Sequence, residues 1–247
     1  MPETQALRLG HCRACGRSLV ERWCLWCGVE AESARIGRYE VEALFPANPA
    51  GSLLLAHDPL LARSVVIRVL PDWTDGEQSL QLSAIRHPNC VTVHSVLQPS
   101  GHVILVMEYL PNRLTATHPR SRTATALAQA ADGLDFVHRH GYIHGRISFN
   151  NILLSPDGPA KLADAGLPPR SGDLSYAAPE VIAGGRPSAA ADVYSLAALA
   201  RHALTGTPPE QLVAPLGRVE LPLDDFLGPV GDRGTAADLR DALRRLT

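Results

Sequence analysis

Long apolar runs are missing from this sequence. No stretch of its 247 residues approaches the roughly 18 uninterrupted apolar residues of a membrane helix. The opening residues, MPETQALRLGHCRACG, hold no apolar signal core. A cytoplasmic chain with reduced thiols is therefore the expectation. Charge of one sign is not in excess either. The net charge of −2 at pH 7 gives no basis for binding nucleic acid or an anionic membrane. Lysine is nearly absent: Lys161 is the only one among 23 basic residues, so basic positions default to Arg. Repeats and low-complexity tracts are lacking as well. What is there is ordinary globular chemistry, 45% hydrophobic and 19% charged, in a length that suits one or two domains.

Four of the five cysteines crowd into HCRACGRSLVERWCLWCG. Cys12 and Cys15 form one C-x2-C pair, and Cys24 and Cys27 a second. A two-residue spacing lets both thiolates of a tight turn face one ion. Gly16 and Gly28 follow the pairs and permit the positive φ that turns backbone amides toward sulfur. Two such knuckles make the tetrahedral sulfur set that Zn2+ prefers. A segment this small buries no core of its own, so the metal supplies the folding energy. Four thiolates leave no open position, which makes the role structural. Disulfides, a redox C-x-x-C and iron in place of zinc are the alternatives. Trp23 and Trp26 flank the second knuckle as packing or partner surface. Cys90 stands apart and reads as a small buried residue.

Beyond a polar boundary at about Glu32–Arg38 the pattern changes twice. VEALF, SLLLAHD, SVVIRVL, VTVHSVL and HVILVMEYL are short apolar or β-branched runs separated by turn residues, which predicts strands. TATALAQAADGLDFVHRHG then places Leu127, Ala131, Leu134 and Val137 at helical spacing, with Gly141 as the stop. ADVYSLAALARHALTG repeats the pattern, and TAADLRDALRRL follows with Thr235 as its cap. A strand-rich half before a helix-rich half predicts an α+β architecture in two lobes. Proline and glycine gather near 156–159, 168–172 and 206–209, where loops are expected.

In chain order, AHDPLLARSVVIRVL, HPNCVTVHSV, VILVMEYL, HGRISFNNILL, KLADAGL, SYAAPEV and ADVYSLAALA resemble the landmarks of a bacterial-type Ser/Thr protein kinase. The resemblance runs from about Tyr39 to the C-terminus. It implies a bilobal protein-kinase-like fold with a β-rich N-lobe at about 39–110 and an α-helical C-lobe at about 111–247. The C-terminal part is short for the family. The domain division is then a zinc-binding module at 1–35 and a kinase-like domain at 36–247.

The same comparison shows which catalytic parts are kept. The stretch matching the Gly-rich phosphate loop is FPANPAGSLLLAHD, in which only Gly51 matches a loop glycine. Pro46 and Pro49 remove amides there. Arg68 stands where the phosphate-anchoring Lys is expected, and a guanidinium fork does not replace an ammonium in a tight site. Its usual Glu partner falls at Glu77 or Gln78. In the catalytic loop His144 matches, but Gly145 replaces Arg, Arg146 replaces the catalytic Asp and Ser148 replaces Lys. A guanidinium has no acceptor and cannot take the proton of an attacking hydroxyl. Asn151 and Asp164 keep the two Mg2+-binding positions. Two readings follow from them: residual binding of Mg-nucleotide, or Asp164 paired with Arg68 or Arg146 while Asn151 holds the loop backbone. The resemblance thus implies degenerate nucleotide-binding positions at Gly51, Arg68, Glu108, Asn151 and Asp164. Ala165 replaces the Phe that packs between lobes. The segment from Leu167 to Ala177 is short, with Ser171 and Ser175 as turn or cap residues. Ala178-Pro179-Glu180, Arg233 and Asp192, together with His144, are scaffold residues.

The pattern keeps what holds such a fold and changes what moves a phosphoryl group. It reads as a catalytically impaired kinase-like protein, a pseudokinase with a zinc module, that regulates or scaffolds a protein partner. One alternative is an ATP-dependent transferase that uses Arg68, Asn151 and Asp164 on Mg-nucleotide. Another is a zinc ribbon that binds protein or nucleic acid, mounted on an inert body.

Overall fold

The structure is a computed structural model that describes residues 35–45, 52–70, 86–98, 103–156, 158–165, 167, 174–207, 227–228 and 233–247. The expected zinc ligands Cys12, Cys15, Cys24 and Cys27 lie outside these residues, as do Gly51, Glu77 and Gln78. The described residues fall into two compact units: those up to Ser83 together with Val93–Tyr109, and Ala84–Thr92 together with Leu110–Thr247.

The first unit is a six-stranded antiparallel sheet in the order β1-β2-β3-β4-β6-β5. Its strands are β1 (Arg35–Ile36), β2 (Tyr39–Leu44), β3 (Ser52–Asp58), β4 (Arg63–Val69), β5 (Val93–Leu97) and β6 (Ile104–Glu108). Alternation sets the face. Leu54, Ala56, Val65, Ile67, Ile104 and Val106 are buried in one cluster with Ile36 and Tyr39. The β3–β4 hairpin pairs without interruption from Ser52↔Val69 to Asp58↔Arg63. Asp58 closes it: its buried carboxylate accepts two bonds from the Arg38 guanidinium at 3.0 and 2.9 Å and one from the Leu60 amide at 3.2 Å. The expected polar boundary differs in one respect, because Arg35–Ile36 within it forms a strand on β2.

The second unit is helical around a small sheet. Helix α1 spans Arg120–Arg139, α2 Pro179–Ile182, α3 Ala189–Thr205 and α4 Ala236–Arg244. β7 (Asn112–Arg113), β8 (Ile152–Leu154) and β9 (Ala160–Leu162) form a three-stranded sheet, and Phe149–Asn151 make a 3-10 turn before β8. Leu127, Ala131, Leu134 and Val137 all lie in the core, as their spacing predicts. α1 starts three residues before the run at Thr123, with Pro119 at its N-cap. Gly141 at φ 80° ends it. α3 has Ser188 as its cap and Gly206 at φ 73° after its last turn. At α4, Thr235 and Asp238 form a reciprocal capping box.

The His87-Pro88-Asn89 segment ties α1 to β9. The Asn89 side-chain amide donates to the Ala160 carbonyl at 2.9 Å, and the Leu162 amide donates to the Asn89 carbonyl at 2.8 Å. A Cβ on Gly133 of α1 would lie 2.4 Å from that same carbonyl oxygen. Only glycine permits this approach. Cys90 beside it is buried, and burial pushes its thiol up to about 12. Among the described residues no helix is long and apolar enough to cross a membrane.

Candidate functional site

The second unit brings together five of the residues singled out in the sequence: His144, Arg146, Asn151, Asp164 and Asp192. The loop from Tyr142 to Ser148 carries the first two, the 3-10 turn supplies Asn151, and Asp164 follows β9. Asp192 sits in the first turn of α3.

Asp192 organises the loop. It is almost fully buried and accepts three bonds: the His144 amide at 2.8 Å, the Gly145 amide at 2.7 Å and His138 Nε2 at 2.9 Å. Gly145 lies at φ 71°, a left-handed conformation that glycine adopts without strain. His138 escaped the sequence reading. Its signal is its place four residues after Leu134, on the core side of α1.

His144 is fully buried. Its Nε2 bonds the Ala163 carbonyl at 2.9 Å, and its Nδ1 accepts the Arg146 amide at 3.2 Å. Those two bonds require the neutral ring protonated on Nε2. Burial pushes its pKa below the ordinary value in agreement, while the Asp192 charge opposes the shift. The ring links the catalytic-loop segment to the strand end that presents Asp164.

Arg146 Nη2 stands 3.6 Å from Asp164 Oδ2, with the two side chains 14% and 5% exposed. A cation therefore already sits at the carboxylate that the resemblance gives to Mg2+. Asn151 Nδ2 donates to the Arg146 carbonyl at 2.6 Å, and the Ala163 amide donates to the Asn151 carbonyl at 2.8 Å. Asn151 thus holds the loop backbone, and its Oδ1 is the atom left to accept. Asp164 has φ 61°, a strained value for a residue with a Cβ. The donor types suit Mg2+, but Arg146 occupies one side of the pair. Its charge opposes Mg2+ at that carboxylate. Ala165 packs against the core of this unit. Among the described residues no group of three or more His, Cys, Asp or Glu side chains is arranged to hold a metal ion.

Glu180 and Arg233 meet as expected. Two Arg233 nitrogens reach the Glu180 carboxylate at 2.7 and 3.1 Å, and the guanidinium lies 4.5 Å from the Tyr194 ring centre. Burial raises the Glu180 pKa, yet the Arg233 bonds hold it below the ordinary value. In the first unit, Arg68 pairs across β4–β6 with Leu105 and is buried, and Glu108 pairs with Val65 at the other end of that ladder.

A family model described as the protein kinase domain matches residues 76–220. Curated relatives include the serine/threonine-protein kinase PknJ of Mycobacterium tuberculosis, 30% identical over 202 residues that cover 69% of this chain and 34% of that protein. The DNA damage-responsive serine/threonine-protein kinase RqkA of Deinococcus radiodurans is 31% identical over 203 residues, 70% of this chain and 30% of that protein. The chain thus spans about a third of the length of these relatives. The crystal structure of the Mycobacterium tuberculosis PknI kinase domain superposes with a TM-score of 0.66 at 23% identity, covering 88% of this chain and 99% of that one.

Proposed function

This chain belongs to the protein kinase family, and from that premise we propose that it is a catalytically silent member, a pseudokinase that regulates or scaffolds a protein partner. One observation carries the reading: the position that must accept a hydroxyl proton holds Arg146, which is turned onto Asp164 at 3.6 Å. A guanidinium stays protonated at every physiological pH and offers no lone pair. It cannot orient a nucleophile, and its charge competes with Mg2+ for Asp164. Ser148 in place of the neighbouring Lys removes a charge that would steady the transferring group.

The scaffold around this position is intact. Asp192 with its three donors and the Glu180–Arg233 pair both hold the helical unit together. A fold kept in repair around an altered centre suits a binding role. The test is a phosphotransfer assay with radiolabelled ATP, Mg2+ or Mn2+ and a generic protein substrate. The expected result is no label on substrate or on the chain itself. Turnover that is abolished by Asp164→Asn overturns the proposal.

A second reading rests on Asn151, whose donated amide leaves its Oδ1 beside Asp164's segment as a metal-ligand atom. In that reading the chain binds Mg-nucleotide through Asn151 and Asp164 without transferring a group. A melting temperature raised by ATP with Mg2+, and not by ATP with a chelator, favours it.

The N-terminal part of the proposal is a structural zinc module on Cys12, Cys15, Cys24 and Cys27, supported by their paired two-residue spacing. Metal analysis of the full chain is expected to return about one Zn per molecule. Loss of the metal on substituting any one cysteine supports it, and iron or no metal overturns it.

A further inference from the structure

A cleft of about 350 Å3 lies in the second unit, between β7 with the segment after it and the 3-10 turn, and neither Arg146 nor Asp164 lines it. Its size falls at the lower end of the ~300–1,000 Å3 usual for small-ligand sites. Its polar and aromatic lining is Arg113, Thr115, Ser148, Phe149, Asn150 and Tyr176. Among the described residues that line it, Arg113 is the sole charged side chain and no carboxylate is present.

The chemistry of these groups has a direction. Arg113 Nη1 donates to Asn150 Oδ1 at 2.6 Å, across 37 residues of sequence. A neutral amide positions the guanidinium without cancelling its charge. That bond uses one of five guanidinium donors. Ser148 stands at the start of the 3-10 turn without spending its hydroxyl on a cap. The aromatic side of the cleft is held in place. Phe149 and Tyr176 meet edge to face with centroids 5.9 Å apart, and the Tyr176 hydroxyl is tied to His202 Nδ1 at 2.8 Å. His202 also packs edge-on against Phe149 at 5.5 Å. A guanidinium, a hydroxyl and an amide share the cleft with the partly exposed Phe149 ring, a combination that suits an anion with a flat apolar body.

We propose that this cleft binds a small organic acid, with a carboxylate or phosphate at Arg113 and a planar apolar body against the Phe149 ring, which Tyr176 braces. It shares Ser148, Phe149 and Asn150 with the altered catalytic loop, but neither Arg146 nor Asp164 lines it. It involves no phosphoryl transfer, so its test stands whether or not the chain is a silent kinase.

The experiment is isothermal titration of the full chain at low salt. The probes are benzoate and phenyl phosphate, with inorganic phosphate and benzylamine for comparison. Both aromatic anions are expected to bind, and their relative affinity tells carboxylate from phosphate as the preferred group. Inorganic phosphate is expected to bind at least about tenfold more weakly than phenyl phosphate, and Arg113→Glu to weaken both aromatic anions by about tenfold or more. Arg113 is exposed, so the variant keeps its fold, which an unchanged melting curve verifies. Arg113→Gln is expected to fall between the two. Four outcomes each overturn the proposal: no binding of either aromatic anion at millimolar concentration, undiminished binding in Arg113→Glu, equal binding of benzylamine, or inorganic phosphate as tight as phenyl phosphate.

Discussion

Arg146 of the loop after α1 and Asp164 after β9 lie 3.6 Å apart, with both side chains largely buried. The family's chemistry places an acceptor at the first position and a metal at the second. Here the two positions partly satisfy each other. Both side chains have further interactions, so the pair is best measured through its coupling. In a double-mutant cycle of Arg146→Ala and Asp164→Asn, the double variant is expected to lose less than the sum of the singles, by about 0.5–3 kcal/mol. Strict additivity in urea melts rejects the pairing. Arg146→Ala is also expected to make the melting temperature respond to millimolar Mg2+, since it frees one side of the carboxylate.

Asp192 holds two loop amides and the His138 ring. Asp192→Ala leaves three buried donors without an acceptor. The expected loss is about 3–5 kcal/mol, enough to unfold a marginal domain. Asp192→Asn keeps part of the set and costs less. Chemical denaturation of both variants checks the order, and an Ala variant within 1 kcal/mol of the parent would rule out the hub, taking about 1 kcal/mol as the worth of one ordinary hydrogen bond.

How much of this was legible beforehand follows from length scale. Leu127, Ala131, Leu134 and Val137 span almost three helical turns, and a period repeated that often is readable. Thr235 is a local signal and reads correctly as a cap, to which the structure adds Asp238. β8 and β9 are three residues each, too short to show any alternation, so the small sheet under the loop has no signature of its own. The ordered landmarks placed His144, Arg146, Asn151, Asp164, Glu180, Asp192 and Arg233 in one family pattern. That pattern named Arg68 and Arg146 as candidate neighbours of Asp164; the loop geometry places Arg146 at 3.6 Å. The Arg113–Asn150 contact joins residues 37 apart with no motif to connect them. It becomes visible only once β7 lies beside the 3-10 turn.

One buried histidine and one half-buried give the stability a pH dependence of predictable sign. Burial lowers the pKa of His144; Asp192, the Ala163 carbonyl and Asp164 oppose the shift, and Arg146 adds to it. Burial lowers that of His87 too, although Asp132 opposes it. The unfolded chain takes up these protons near pH 6.5, and the folded chain does so only at lower pH. Their contribution is therefore complete above about pH 6.5 and declines as the pH falls through that value toward the depressed folded pKa. Urea melts between about pH 8 and pH 5 are expected to show the decline, with a shallower slope in His144→Gln. An equally steep slope in that variant removes His144 as a cause.

Gly133 is fixed by its neighbour and not by its helix. A Cβ there would meet the Asn89 carbonyl oxygen at 2.4 Å. That oxygen already accepts from the Leu162 amide, so it cannot retreat without loosening β9. Gly133→Ala raises helix propensity by about 1 kcal/mol. Overpacking outweighs it, and the expected net loss is about 1–3 kcal/mol. A stabilised variant would show that the Asn89 segment yields.

The first turn of α1 runs against a helix rule. Its cap is Pro119, which makes no side-chain hydrogen bond, and the turn holds Arg120 and Arg122 with no acidic residue. Cations at this end oppose the aligned peptide dipoles, while His138 and Arg139 in the last turn favour them. Both first-turn arginines are exposed, so nothing in the packing requires them. Arg120→Glu reverses the unfavourable charge where the free amides point. It is expected to stabilise the chain by about 0.3–1 kcal/mol at low ionic strength, with the gain shrinking as salt rises. Arg120→Gln should give about half of it. Thermal melts at two salt concentrations separate this from a propensity effect, because Arg, Gln and Glu are near equals as helix formers and propensity does not respond to salt. A gain that persists unchanged in high salt assigns the effect to something other than the dipole.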